Sequence, residues 1–280
     1  MHSPVYNTTA YRYPNERLIL AATVILVFLV IAFTAVATVC LSVVAILTAL
    51  LFSYGFSRSQ HNALIQQTQA VTPQNSPVLV ALARQAAIRL QVQPVEIFIA
   101  PSRILNAYTF GLSATKTIVL HSALLDRMDH EEMQFILGHE MGHVRLGHTW
   151  LNSLVGGMAG IPSPSGASML LTMAFLGWNR ACEYSADRAG VLACNNPKKA
   201  MTALLKLQAG STAYSQASLE RAIQVIAAQE HDSVIDFREL LATHPMIARR
   251  IDQLQHFAAS SQYQNLQAHM NQNLKAYADE

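Results

Sequence analysis

The longest apolar run in the chain covers residues 18–52 and contains no charged residue, no Gly and no Pro. As one helix it would be roughly 50 Å long, against a hydrocarbon core of about 30 Å. As two helices of about 17–18 residues, the second extended to Phe56, it spans as a tight hairpin. Arg12 and Arg17 precede the run and Arg58 follows it. Basic residues at both ends predict two cytoplasmic ends, so the pattern predicts a transmembrane hairpin (or a single span) over 18–56, behind an N-terminal flank 1–17.

The period then changes. Residues 57–77 are polar, close on "TPQNSP" and read as a linker. "SPVLVALARQAAIRLQV" has Ser76 and Pro77 as start signals and apolar residues at helical spacing. "VEIFIA" and "KTIVLH" are short β-rich runs separated by "NAYTFGLSAT", which predicts a small antiparallel sheet. A long helix is expected from Asp129, its N-cap, through Val155. Residues 156–168, "GGMAGIPSPSGAS", interrupt the pattern and read as a surface loop covered by its own domain, ahead of a membrane-dipping lid. Helices follow at "NRACEYSADRAGVLAC", at "NPKKAMTALLKLQ" with Pro197 in its first turn, and over 217–229 and 245–258. The Gln/Asn-rich tail, 259–280, is weakly amphipathic and expected to fray. The fold class is α+β, mostly helical, with one domain over 78–258.

Composition adds little beyond this. Charged residues are 13% and hydrophobic ones 51%, because of the apolar run. The net charge of +2, with no basic run and no interleaved aromatics, gives no sign of a nucleic-acid partner. Cys40, Cys182 and Cys194 form neither a disulfide framework nor a zinc-finger spacing, as suits a reducing compartment.

The chemistry gathers in "FILGHEMGHVRLGH", residues 135–148. Positions four apart share a helix face, so His139 and His143 can turn two imidazole nitrogens toward one ion. Glu140 then lies beside the open coordination position as a general base. Catalytic zinc takes three protein ligands. His148 lies five positions beyond His143, about 140° around the helix, and so points elsewhere. It reads as a helix-end histidine that supports or caps. A third ligand is better sought in "CEYSADRAG", where Glu183 and Asp187 again share a face. Glu183 could reach the metal while Asp187 accepts the N–H of a ligand histidine. Spacing alone leaves open a solvated acidic face with no partner.

Taken with "NAYTFG", "EYSADRAG" and "THPMIARRI" in that order, the histidine motif resembles a family of membrane-linked gluzincins. It contains the HtpX-type proteases and the CAAX prenyl endopeptidases, and the resemblance covers about residues 76–256. It implies one zinc ion held by His139, His143 and Glu183, Glu140 as base, and Asp187 orienting a ligand histidine. His244 and Arg250 match an H-P-x-x-x-x-R element near the metal. There His244 stabilises the oxyanion or serves as a latent fourth ligand, unless it merely starts a helix before Pro245. Asn106 and Ala107 match an N-A element ahead of a substrate-holding strand. The implied protein is a membrane zinc endopeptidase of the bacterial inner membrane, its domain cytoplasmic, acting on extended or misfolded polypeptides. A catalytically inactive scaffold of the same fold is the alternative. Unlike the HtpX type, the chain has only 39 residues between His143 and Glu183, interrupted by Pro162 and Pro164, where that type places two further membrane helices.

Overall fold

The computed structural model describes residues 10–37, 41–93, 95–110, 116–149, 174–211 and 245–278. Helix α1 (Glu16–Ala37) and helix α2 (Leu41–Gln66) come first. Among the described residues, one helix, Glu16–Val36, is long and apolar enough to cross a membrane. Leu18, Phe28, Phe33 and Val36 along it are exposed. The polar stretch expected as a linker instead continues α2 to Gln66 and then forms strand β1 (Gln69–Ala70).

Helix α3 (Pro77–Leu90) begins at the Ser-Pro signal. Strands β2 (Glu96–Ala100), β3 (Ala107–Phe110) and β4 (Thr117–His121) complete a four-stranded sheet in the order β1-β2-β4-β3. The sheet is mixed, not antiparallel throughout. β1 pairs antiparallel with β2 and β3 with β4, but β2 and β4 run parallel, with Ile97 opposite Ile118. The reason lies in the connection 101–106. It carries the chain past the neighbouring position to the sheet's outer edge, and β4 turns back into the gap.

Helix α4 (Ser122–Arg127) leads into helix α5 (His130–Leu146). Asp129 and Glu132 form a reciprocal capping box, each side chain accepting the other's backbone N–H at 2.9 Å. Helix α6 (Leu176–Cys194), helix α7 (Pro197–Ser211), helix α8 (Pro245–Ala258) and helix α9 (Ser261–Ala278) follow. The tail does not fray: α9 buries Tyr263, Leu266 and Met270. Its Gln267 accepts from buried Arg89, which also donates to Leu192 O at 2.8 Å. The expected loop at 156–168 and helix at 217–229 lie outside the described residues, as does His244.

The central contact is α5 against α6, and small residues make it close. A Cβ added at Gly138 would fall 2.4 Å from Ala193 Cβ, and one at Gly142 would fall 2.6 Å from Ala189 Cβ. Advancing one turn on α5 thus means retreating one turn on α6, so the helices are antiparallel. Four-residue spacings on the two helices therefore pair off rung by rung.

Candidate metal centre

Rung pairing explains the site. His139 meets Asp187 and His143 meets Glu183, two helical pairs of equal spacing brought face to face. His139 Nε2 and His143 Nε2 lie 3.2 Å apart. Glu183 places Oε2 at 3.6 Å from the first and Oε1 at 3.5 Å from the second. The histidine side chains are largely buried, whereas Glu183 keeps 33% of its side chain exposed, so the cluster opens on one side.

The outer nitrogens fix the tautomers. His139 Nδ1 lies 3.0 Å from Asp187 Oδ1, a carboxylate that only accepts, so Nδ1 carries the proton. His143 Nδ1 lies 3.0 Å from His148 Nδ1, and His148 Nε2 lies 3.1 Å from Glu16 Oε1. Burial drives the His148 pKa down to about 4 against the pull of Glu16, so the ring is neutral and donates from Nε2 to Glu16. Its Nδ1 can then only accept, which makes His143 Nδ1 the donor. With both rings neutral, the two inner Nε2 atoms present lone pairs to each other and to a carboxylate; burial opposes charging His143, but Glu183 outweighs it and raises the pKa.

Two imidazole nitrogens and a carboxylate converging at these separations make a donor set suited to a cation. The fit to zinc is metric as well as chemical. Tetrahedral bonds of about 2.0–2.1 Å put ligand atoms about 3.3 Å apart, close to the separations found here. His139, His143 and Glu183 can therefore hold zinc with one position left over.

Arg250 on α8 clamps the acids. Its Nε and Nη2 donate to Asp187 at 2.8 and 2.6 Å, while Nη1 lies 3.0 Å from Glu183 Oε2. Burial alone would raise the Asp187 pKa, but the guanidinium overrides it and holds the carboxyl below its ordinary value.

Glu140 is buried beside the ligands, and Thr109 on β3 donates to its Oε2 at 2.6 Å. Along β3, Tyr108 turns into the core while Thr109 faces α5, the alternation of a strand. Asn106 is tied into the sheet through its carbonyl, which accepts His121 N–H at 3.0 Å, and Ala107 pairs with Leu120.

His148 departs from the helical reading. α5 does not run on to Val155. It stops at Leu146, with Gly147 in the left-handed region at φ 79° and its N–H on the His143 and Val144 carbonyls. The cap takes His148 off the helical period and folds it back behind His143. Glu16, Thr109 and the clamping contacts of Arg250 were not legible in the sequence. The alternation along β3 is the one local signal that could have pointed to Thr109.

The sequence model of peptidase family M48 matches residues 72–258. The chain is 32% identical over 133 residues to the plastoglobule-localized metallopeptidase 48 of Arabidopsis thaliana, covering 45% of this chain and 38% of that one. It is 47% identical over 45 residues to a CAAX prenyl protease 1 homolog of Dictyostelium discoideum, covering 16% and 11%. A protease HtpX homolog of Paenarthrobacter aurescens is 24% identical over 238 residues, covering 74% of this chain and 81% of its own. The chain thus spans well under half of the first two relatives and most of the third.

Proposed function

The chain belongs to peptidase family M48, and we propose that it is a membrane-anchored zinc metalloendopeptidase acting on extended or misfolded polypeptides, membrane proteins among them, in protein quality control. One observation carries the reading. Two imidazole lone pairs and a carboxylate converge on a single point, with a buried Glu140 beside them. A ligand set this complete weighs against an inactive scaffold.

His139, His143 and Glu183 would hold the zinc, which would supply a Lewis acid that lowers the pKa of water toward neutrality. Glu140 takes the proton of the attacking water and passes it to the leaving amine. Thr109 holds the Glu140 carboxylate in place for both transfers. Arg250 keeps Glu183 and Asp187 aligned. His244, outside the described residues, enters through the H-P-x-x-x-x-R element as the group that steadies the oxyanion.

An extended substrate would add as a strand. β4 has β2 on one side and β3 on the other, so its ladder is filled. β3 has a strand partner on one side only, among the described residues, and its Thr109 reaches Glu140. The outer edge of 107–110, following Asn106, is therefore the docking edge.

Two attachments support a two-span anchor. The chain leaves the domain at Arg12–Glu16, bonded to α5 and α6, and returns at Val71, whose N–H donates to Ile97 O at 2.8 Å. On this reading both ends of the 16–66 segment lie on one side of the bilayer. With Arg17 and Arg58 flanking the apolar run, that side is cytoplasmic, in a bacterial inner membrane.

The test uses the full chain in detergent. Zinc-loaded protein should cleave unfolded casein and stop on chelation, while Glu140→Gln should keep its zinc and lose essentially all turnover. Cleavage by Glu140→Gln at the wild-type rate would remove the assignment.

A further inference from the structure

Glu16 opens the helix that carries the apolar span, yet its side chain is 1% exposed and points into the protease domain. Its Oε1 accepts from Arg12 and lies 3.1 Å from His148 Nε2, and its Oε2 accepts from Ser185 Oγ on α6. His148, equally buried, uses its other nitrogen on His143, with Trp178 edge-on to its ring at 6.0 Å. Arg12 Nη2 donates to Leu146 O at 3.0 Å, and Tyr13 N–H donates to Ser185 Oγ at 2.8 Å. The N-terminal segment is therefore wedged between the end of α5 and the body of α6.

Resting on the metal site proposed above, we infer that Glu16 and His148 are positioning residues for His143, so that the root of the membrane helix is part of the metal centre. Each ligand histidine then has its own carboxylate. Asp187 backs His139 directly, and Glu16 backs His143 through one interposed imidazole. A ligand histidine needs such an acceptor to fix its tautomer and ring angle, and losing one costs 10–100-fold in metal affinity as a rule. The sequence gap also has a reason. The rung that gives His139 its Asp187 gives His143 Glu183, on the opposite ring nitrogen from His148.

A rival reading makes the same cluster a second metal site, because ligand atoms of Glu16, His148 and Cys182 lie within 4.8 Å of one another. The bonding opposes it. Both Glu16 oxygens and both His148 nitrogens are already engaged, and the Arg12 guanidinium occupies the cation's place.

The experiment measures zinc affinity on full-length protein in detergent, by competition with a chromophoric chelator. Glu16→Gln and His148→Phe should each weaken zinc 10–100-fold, and the double variant no more than the weaker-binding single, because both act along one path. Affinity within twofold of wild type in both singles overturns the inference if Glu183→Ala still abolishes binding. If Glu183→Ala also binds normally, the metal site itself is misplaced. Two zinc ions per chain, falling to one in Cys182→Ser, establishes the rival. Histidine-selective 15N NMR of the zinc-free wild type needs no variant to fold. It should find His143 protonated at Nδ1 and His148 at Nε2, and the reverse pattern overturns the relay.

Discussion

Gly138 on α5 faces Ala193 on α6 so closely that a methyl group at Gly138 would lie 2.4 Å from the alanine Cβ. The proposed ligand set depends on that contact, since His139 and Glu183 meet only while the two helices stay this near. Gly138→Val should therefore act twice. Overpacking is expected to cost about 1–3 kcal/mol, and the same separation should weaken zinc binding. Thermal melting and a zinc titration on one preparation check both, and normal zinc affinity at a lowered melting temperature would separate the seam from the site.

Asp187 and Arg250 form a buried bidentate pair whose side chains are 2% and 16% exposed. Arg250→Ala leaves Asp187 charged and without its main partner, a loss of about 3–5 kcal/mol. Asp187→Asn should instead fold and weaken zinc 10–100-fold, because an amide can turn an N–H toward His139 Nδ1. Arg250→Lys should resemble the alanine variant more than the wild type, since a point charge cannot bridge both oxygens. Denaturant melts and chelator competition rank the three.

Thr109→Val replaces the hydroxyl that anchors Glu140 with a methyl of similar size. Turnover should fall about tenfold with KM nearly unchanged, the mark of a misaligned proton carrier rather than a lost substrate contact. Thr109→Ser should recover most of the loss. Equal damage from both variants would point to β3 packing instead.

Removing the metal should destabilise the domain, since three acceptors then face each other uncompensated. Zinc at about 100 times its dissociation constant contributes about 2.7 kcal/mol, so chelated protein should melt several degrees lower and recover on zinc addition. A melting temperature indifferent to both treatments would contradict the cation reading.

The parts legible in the sequence share one property: their partners sit a helical turn away. His139 with His143, and Glu183 with Asp187, are such pairs, and the apolar run is legible from its length and composition. β-rich runs at 95–100 and 116–121 were readable too, but not that they run parallel, because a crossover leaves no periodic trace.

The sequence by itself determined which residues could bind an ion, which helix face each occupies, and that one helix is long and apolar enough to cross a membrane. Tertiary structure decided which acid meets which imidazole, through glycine contacts that set two helices antiparallel at close range. It also decided that His148 turns back and that Glu16, 132 positions away, stands behind it. The period of a helix encodes neighbours along one element. Nothing local encodes a contact made when a left-handed glycine ends one helix beside the root of another.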